Sequence, residues 1–83
     1  MSKKGNGKAG AAKGILEALG AELRRQRRAH KFTQIELGAA AGVSEHVVGR
    51  IERGQYNPSV VVLYAITTKL GLKLSELFAG AGK

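Results

Sequence analysis

The stretch TQIELGAAAGVSEHVVGRIER, residues 33–53, decides the fold. Its spacing predicts a helix, a tight turn and a second helix. Thr33 is followed three residues later by Glu36, the pattern of a capping box. The Thr33 hydroxyl can accept from the Glu36 amide, and the Glu36 carboxylate can accept from the Thr33 amide. Phe32 and Leu37 are placed to close a hydrophobic staple across that cap. Gly42 can take a positive φ without a Cβ clash, which stops the first helix sharply. Ser44 can then cap a second helix, and Val43 with Val48 repeats the staple. Val48 and Ile51 lie one turn apart and can face the first helix, as Leu37 can from the other side. Gly54 ends the second helix. Two short helices joined by so few residues must cross steeply, which is the helix-turn-helix arrangement.

Working outward, residues 15–31 read as the helix before the motif, with Leu16, Leu19 and Leu23 at helical spacing and Arg27 on the same stripe. Gly20 weakens its interior by up to about 1 kcal/mol relative to alanine. After the motif, Asn57 before Pro58 is pushed away from the α region, so a loop belongs there. Ser59 is placed to cap the next helix. Residues 60–66, VVVLYAI, favour a strand by propensity. The helical spacing of Leu63, Ile66 and Leu70, and Gly71 at the C-terminal position, point instead to a buried helix. A single strand would also lack a partner in this chain. Residues 73–79 give a short last helix. The expected fold is all-α, a compact five-helix domain over 15–79, with a frayed tail at 80–83.

The chain has 83 residues and a formal charge of +8, and all six of its acids are glutamates. That length suits one small domain. Such basicity points to polyanions, with nucleic acid ahead of an anionic membrane surface. With no cysteine there is no disulfide, no thiolate zinc site and no cysteine nucleophile. No apolar run approaches the ~20 residues of a membrane span, and no signal-peptide apolar segment follows the first lysines. The expected place is the cytoplasm, on the nucleoid. Residues 1–14, MSKKGNGKAGAAKG, have no large apolar side chain after Met1 and no acid. They are expected to be a disordered arm. Its Lys3, Lys4, Lys8 and Lys13 carry half of the net charge. They either follow the DNA backbone or serve as a solubilising leader. Arg24, Arg25, Arg27 and Arg28 form a second basic cluster, which cannot all face one way.

Gln34, Leu37, Gly42-Val43-Ser44, Ile51-Glu52-Arg53-Gly54 and Asn57-Pro58-Ser59 resemble the lambdoid phage repressor and Cro helix-turn-helix family, the XRE-like group. The resemblance runs from about Leu19 to Phe78. It implies a five-helix, lambda-repressor-like DNA-binding domain that acts as a dimer. It also implies that Arg27 pairs with Glu52, tying the first helix to the end of the recognition helix. Glu52 adjoins the core position Ile51, so a partner for its charge is physically expected. This chain departs from the family pattern at Gly38, where alanine is usual, and carries Gly49 inside the recognition helix. Gly49 either lets that helix approach DNA closely or leaves it less rigid.

A second helix set in the major groove presents its N-terminal residues to base edges. Here those are Glu45, His46 and Val47, with Arg50 one turn on. Arg50 can donate to O6 and N7 of guanine, or contact phosphate. Glu45 favours the positive end of its own helix and can also accept from cytosine N4. His46 can donate to guanine or phosphate; a metal role has no support, since His30 sits in another helix. Val47 can meet a thymine methyl or belong to the core. Gln34, at a helix N-terminus, can hold a phosphate. Ser44, Arg53, Gln55 and Asn57 are further candidates for backbone contacts.

These residues predict a sequence-specific double-stranded DNA-binding regulator, not an enzyme. No nucleophile motif or phosphate loop is present. No cofactor, metal or small-molecule ligand is expected. The expected assembly is a homodimer on an inverted repeat, joined through some of Leu72, Leu74, Leu77 and Phe78. A Cro-like phage repressor and a restriction–modification controller both fit. The alternatives are an antitoxin that also binds a toxin, and a non-specific architectural or RNA-binding protein. A contact with RNA polymerase is a further partner such a regulator would use.

Overall fold

The computed structural model describes residues 2–82, with side chains over 12–82. It holds five helices and, among the described residues, no strand. They are α1 (Ser2–Ala29), α2 (Gln34–Ala41), α3 (Glu45–Glu52), α4 (Val60–Lys69) and α5 (Leu74–Ala81). α1 is drawn from Ser2, ahead of the start expected at Ile15. The side chains of 1–11, and with them the arm contacts expected of Lys3, Lys4 and Lys8, lie outside the described residues; Lys13 is exposed. α1 ends two residues before Lys31, which takes φ 61°. That turn lets the Phe32 amide donate to the Arg27 carbonyl at 3.1 Å.

The caps follow the sequence. The Glu36 amide donates to Thr33 Oγ1 at 3.0 Å, and the Thr33 amide donates to Glu36 Oε1 at 2.8 Å. Gly42 closes α2 in the left-handed region at φ 73°. Ser44 Oγ accepts from the His46 amide at 3.1 Å, and Ser59 Oγ from the Val62 amide at 3.1 Å. At α5 the Lys73 amide donates to Glu76 Oε1 at 2.7 Å. Removing the Thr33 hydroxyl is expected to destabilise the domain measurably. Thr33→Ala should lower the unfolding free energy by about 1 kcal/mol, read as a lower urea midpoint at unchanged slope.

The helices pack in a closed circuit, α1 on α3, α3 on α2, α2 on α4, α4 on α5 and α5 back on α1. Every helix or its cap supplies the core: Leu19 and Leu23, Leu37, Val48 and Ile51, Leu63, Ile66 and Leu70, and Leu77. At α4, burial of Leu63 and Ile66 overrides the strand propensity of its valines. α4 is buried on one side only, because Val60, Val61 and Tyr64 on its other side are exposed. Gly38 stands where an added Cβ would come within 2.6 Å of the Val43 carbonyl oxygen, so α2 and the turn after it are in close contact.

One expected interface residue is corrected here. Leu77, assigned from sequence to the dimer surface, is fully buried and completes the core. α5 turns that leucine inward as it crosses α1, while Leu72 and Leu74 pack half-buried against the same cluster. Phe78, the next residue round the helix, remains about half exposed.

Candidate nucleic-acid interface

α3 has one apolar face and one polar face because Val48 and Ile51 turn into the core. That leaves Glu45, His46 and Arg50 exposed together on the outside. Val47 is half-buried and packs against the core cluster, so of the sequence alternatives its core contact is realised in this structure. The Arg50 guanidinium lies over the Tyr56 ring, 5.4 Å from its centroid. A cation held over an aromatic face is attracted by the ring quadrupole. The ring thus steadies a long side chain that would otherwise sample many rotamers.

The base of the motif is an ion pair between distant elements. Arg27 Nε donates to Glu52 Oε2 at 2.6 Å, and Arg27 Nη2 donates to Glu52 Oε1 at 3.0 Å. Both residues are about nine-tenths buried. Arg27 Nη1 also donates to the Phe32 carbonyl at 2.8 Å. The bidentate geometry is the strong form of a guanidinium–carboxylate contact. It ties α1 to the end of α3 and to the loop that leads into α2.

Glu52 reaches α2 as well. Gln34 Nε2 donates to Glu52 Oε1 at 3.1 Å, so a glutamine at the α2 N-terminus is braced from behind. A primary amide carries two donor hydrogens, which leaves one for a phosphate oxygen. Gly49 makes room for this. A Cβ there would lie 3.1 Å from Arg53 Nη1 and 3.3 Å from Gln34 Oε1. Glycine at this place therefore lets Gln34 and Arg53 lie side by side over α3. Arg53 Nε in turn donates to Gln55 Oε1 at 3.1 Å. Ser44, Gln55 and Asn57 are exposed, the first at the start of α3 and the other two in the loop after it. The structure thus brings Gln34, Arg53 and Gln55 together and leaves Asn57 further along that loop.

Three features were missed in the sequence. Glu22 is buried and accepts from Arg25 Nε at 2.9 Å and from Gln26 Nε2 at 2.9 Å. The i,i+3 and i,i+4 spacing could have shown it. The Glu22 hydrogen bond, and then its charge, raises the already high pKa of Arg25, which therefore stays cationic. Tyr56 beneath Arg50 and the crowding at Gly49 carry no local signal, since each depends on residues brought close by the turn.

Among the described residues, no group of three His, Cys, Asp or Glu side chains could hold a metal ion. No helix among them is long and apolar enough to cross a membrane. Residues 23–77 match the helix-turn-helix family model. An HTH-type transcriptional regulator of Sinorhizobium fredii is 37% identical over 63 residues, 76% of this chain and 82% of the relative. The immunity repressor protein of Bacillus phage phi105 is 34% identical over 59 residues, 71% of this chain but 41% of that protein. Among solved structures, the clp gene regulator ClgR from C. glutamicum superposes with a TM-score of 0.80 at 32% identity, covering 82% of this chain and 87% of that one. The restriction–modification controller protein C.AhdI from Aeromonas hydrophila gives 0.73 at 35% identity, covering 75% and 94%. These relatives are regulators and not enzymes, and the chain belongs to the helix-turn-helix family of DNA-binding transcriptional regulators, in its lambdoid repressor and Cro, XRE-like group.

Proposed function

We propose that this protein is a sequence-specific regulator that binds an inverted-repeat operator as a homodimer. Each α3 lies in a major groove, with half-sites about one helical turn (~34 Å) apart. The observation that carries the reading is the outer face of α3. Glu45, His46 and Arg50 are exposed there, beside Gln34 and Arg53, which the Glu52 network and Gly49 hold in place. Arg50 donates to guanine O6 and N7; Glu45 and His46 read the neighbouring pairs. Gln34, Ser44, Arg53, Gln55 and Asn57 engage phosphates and set the register. The lysines of the first fourteen residues add backbone charge.

The partner surface is the groove between the start of the packed part of α1 and α5. It has a volume of about 380 Å³ and is lined by Ile15, Ala18, Leu19, Phe78 and Ala81. A second copy covers it, with Leu72 and Leu74 contributing at the edge. The likeness to the controller protein over 94% of that chain and to the phage immunity repressor supports a small regulator of the controller or Cro-like repressor type, acting in the cytoplasm.

Selection of bound sequences from a random duplex pool at near-physiological salt tests this. An enriched inverted repeat is the expected result. Arg50→Ala should then lose about 1–3 kcal/mol of discrimination at one base position in each half-site. No enrichment, with affinity that collapses as salt rises, would replace this reading with non-specific binding. Sedimentation of the free protein and its operator complex should show a dimer; a monomer in both would remove the dimeric part. A toxin that co-purifies would turn the regulator into an antitoxin.

A further inference from the structure

The four arginines of α1 divide into two kinds. Arg25 is neutralised by Glu22 and Arg27 by Glu52. Arg24 and Arg28 are exposed, and among the described residues neither meets a carboxylate or a hydrogen-bond acceptor. They lie at i and i+4 on one side of α1, and Lys31, also exposed, follows in the turn beyond the helix end. Like charges at this spacing repel. The same three residues line an open recess bordered by Thr33 and Gln34 at the start of α2 and by Glu45 at the start of α3. The stripe is therefore continuous with the base-reading face. Arg24 and Arg28 also border Glu52 at the end of α3.

We propose that Arg24, Arg28 and Lys31 form a backbone track that binds DNA phosphates beyond the bases read by the first turn of α3. The inference deepens the operator-binding reading and rests on it. Arg24 to Arg28 rise about 6 Å along α1 and Lys31 follows beyond the helix end, enough for about two phosphates of one strand, which advance about 3.4 Å each along the DNA axis. The contacts add affinity without sequence preference.

The test compares the wild type with the Arg24→Ala/Arg28→Ala double variant across a salt series. Two duplexes are used, the selected operator with eight-base-pair flanks and the same operator trimmed to its half-site edges. On the flanked duplex, loss of two phosphate contacts per protomer, four per dimer, should weaken binding about 1,000-fold near 0.15 M salt and reduce the log–log salt slope by about 4. On the trimmed duplex the two proteins should bind alike. Base preference and melting temperature should not change, and Arg24→Lys/Arg28→Lys should keep most of the slope. An unchanged slope on the flanked duplex, an equal loss on both duplexes, or an altered base preference would overturn the proposal. If selection yields no operator, the operator reading fails by itself. A flanked random duplex then reads the salt slope, so the two failures stay distinct.

Discussion

Glu52→Ala is expected to lower the unfolding free energy by about 3–5 kcal/mol. A domain of this length has roughly 4–12 kcal/mol in total, so the variant should lose between a quarter and all of its stability. The loss does not measure how favourable the ion pair is. Two charges withdrawn from water cost several kcal/mol each in desolvation, and their attraction in the interior offsets that cost. Alanine removes the attraction and leaves Arg27, about nine-tenths buried, with the Phe32 carbonyl as its remaining partner. A paired replacement separates the two effects. Arg27→Met with Glu52→Leu removes both charges, and should recover most of the stability lost by Glu52→Ala alone. Urea unfolding of the three proteins checks this. A double variant no more stable than Glu52→Ala would show that the bidentate geometry itself carries the stability.

The same pair of variants separates stability from binding. In the double variant Gln34 loses its 3.1 Å contact with Glu52. Its amide is then free to turn away from the α2 N-terminus. A well-folded double variant should therefore still bind DNA more weakly than the wild type, with unchanged base preference, because Gln34 is proposed to set register and not to read sequence.

Local rules were enough for most of the fold. Capping boxes and staples act within five residues, so Thr33, Glu36, Gly42, Ser44 and Ser59 announced α2, α3 and α4 without tertiary knowledge. The exposed face of α3 was legible for the same reason: once Val48 and Ile51 are inward, Arg50 is outward by periodicity. The rest depended on close approach between distant elements. Leu77 and Phe78 are adjacent leucine and phenylalanine in one apolar helix, and only the angle at which α5 crosses α1 decides which is covered. Gly49 leaves two readings open in sequence, close approach to DNA or a less rigid helix, and neither points to Gln34 and Arg53, which lie against it. Glycine carries no side chain to signal what lies against it, so glycine roles are the least visible in sequence.

Gly20 shows this most sharply, and its replacement gives the second large effect. By helix propensity, Gly20→Ala should stabilise α1 by up to about 1 kcal/mol. The structure reverses the sign. Gly20 is buried where α1 crosses the end of α3, and a Cβ there would overlap the Ile51 carbonyl oxygen and lie 2.8 Å from that of Glu52. Both obstacles are backbone, so no side-chain rotamer relieves them. The helices must separate, yet Arg27, two turns further along α1, holds Glu52 at 2.6 Å. Separation at Gly20 pulls on that ion pair. Overpacking of this kind costs about 1–3 kcal/mol and at times more. With the ion pair resisting relief, Gly20→Ala should show a net loss of about 2 kcal/mol, and Gly20→Val a larger one. Gly14 in the same helix is the control. A Cβ there meets nothing within 4 Å, so Gly14→Ala should be neutral or stabilising by up to about 1 kcal/mol. Thermal unfolding of both variants decides the matter. Opposite signs would establish the α1–α3 crossing as a backbone contact that only glycine allows, while stabilisation by both would mean that the helices stand further apart. The crossing also predicts coupling: with Glu52→Ala already in place the ion pair no longer holds α1 against α3, so adding Gly20→Ala should cost less than it does in the wild type.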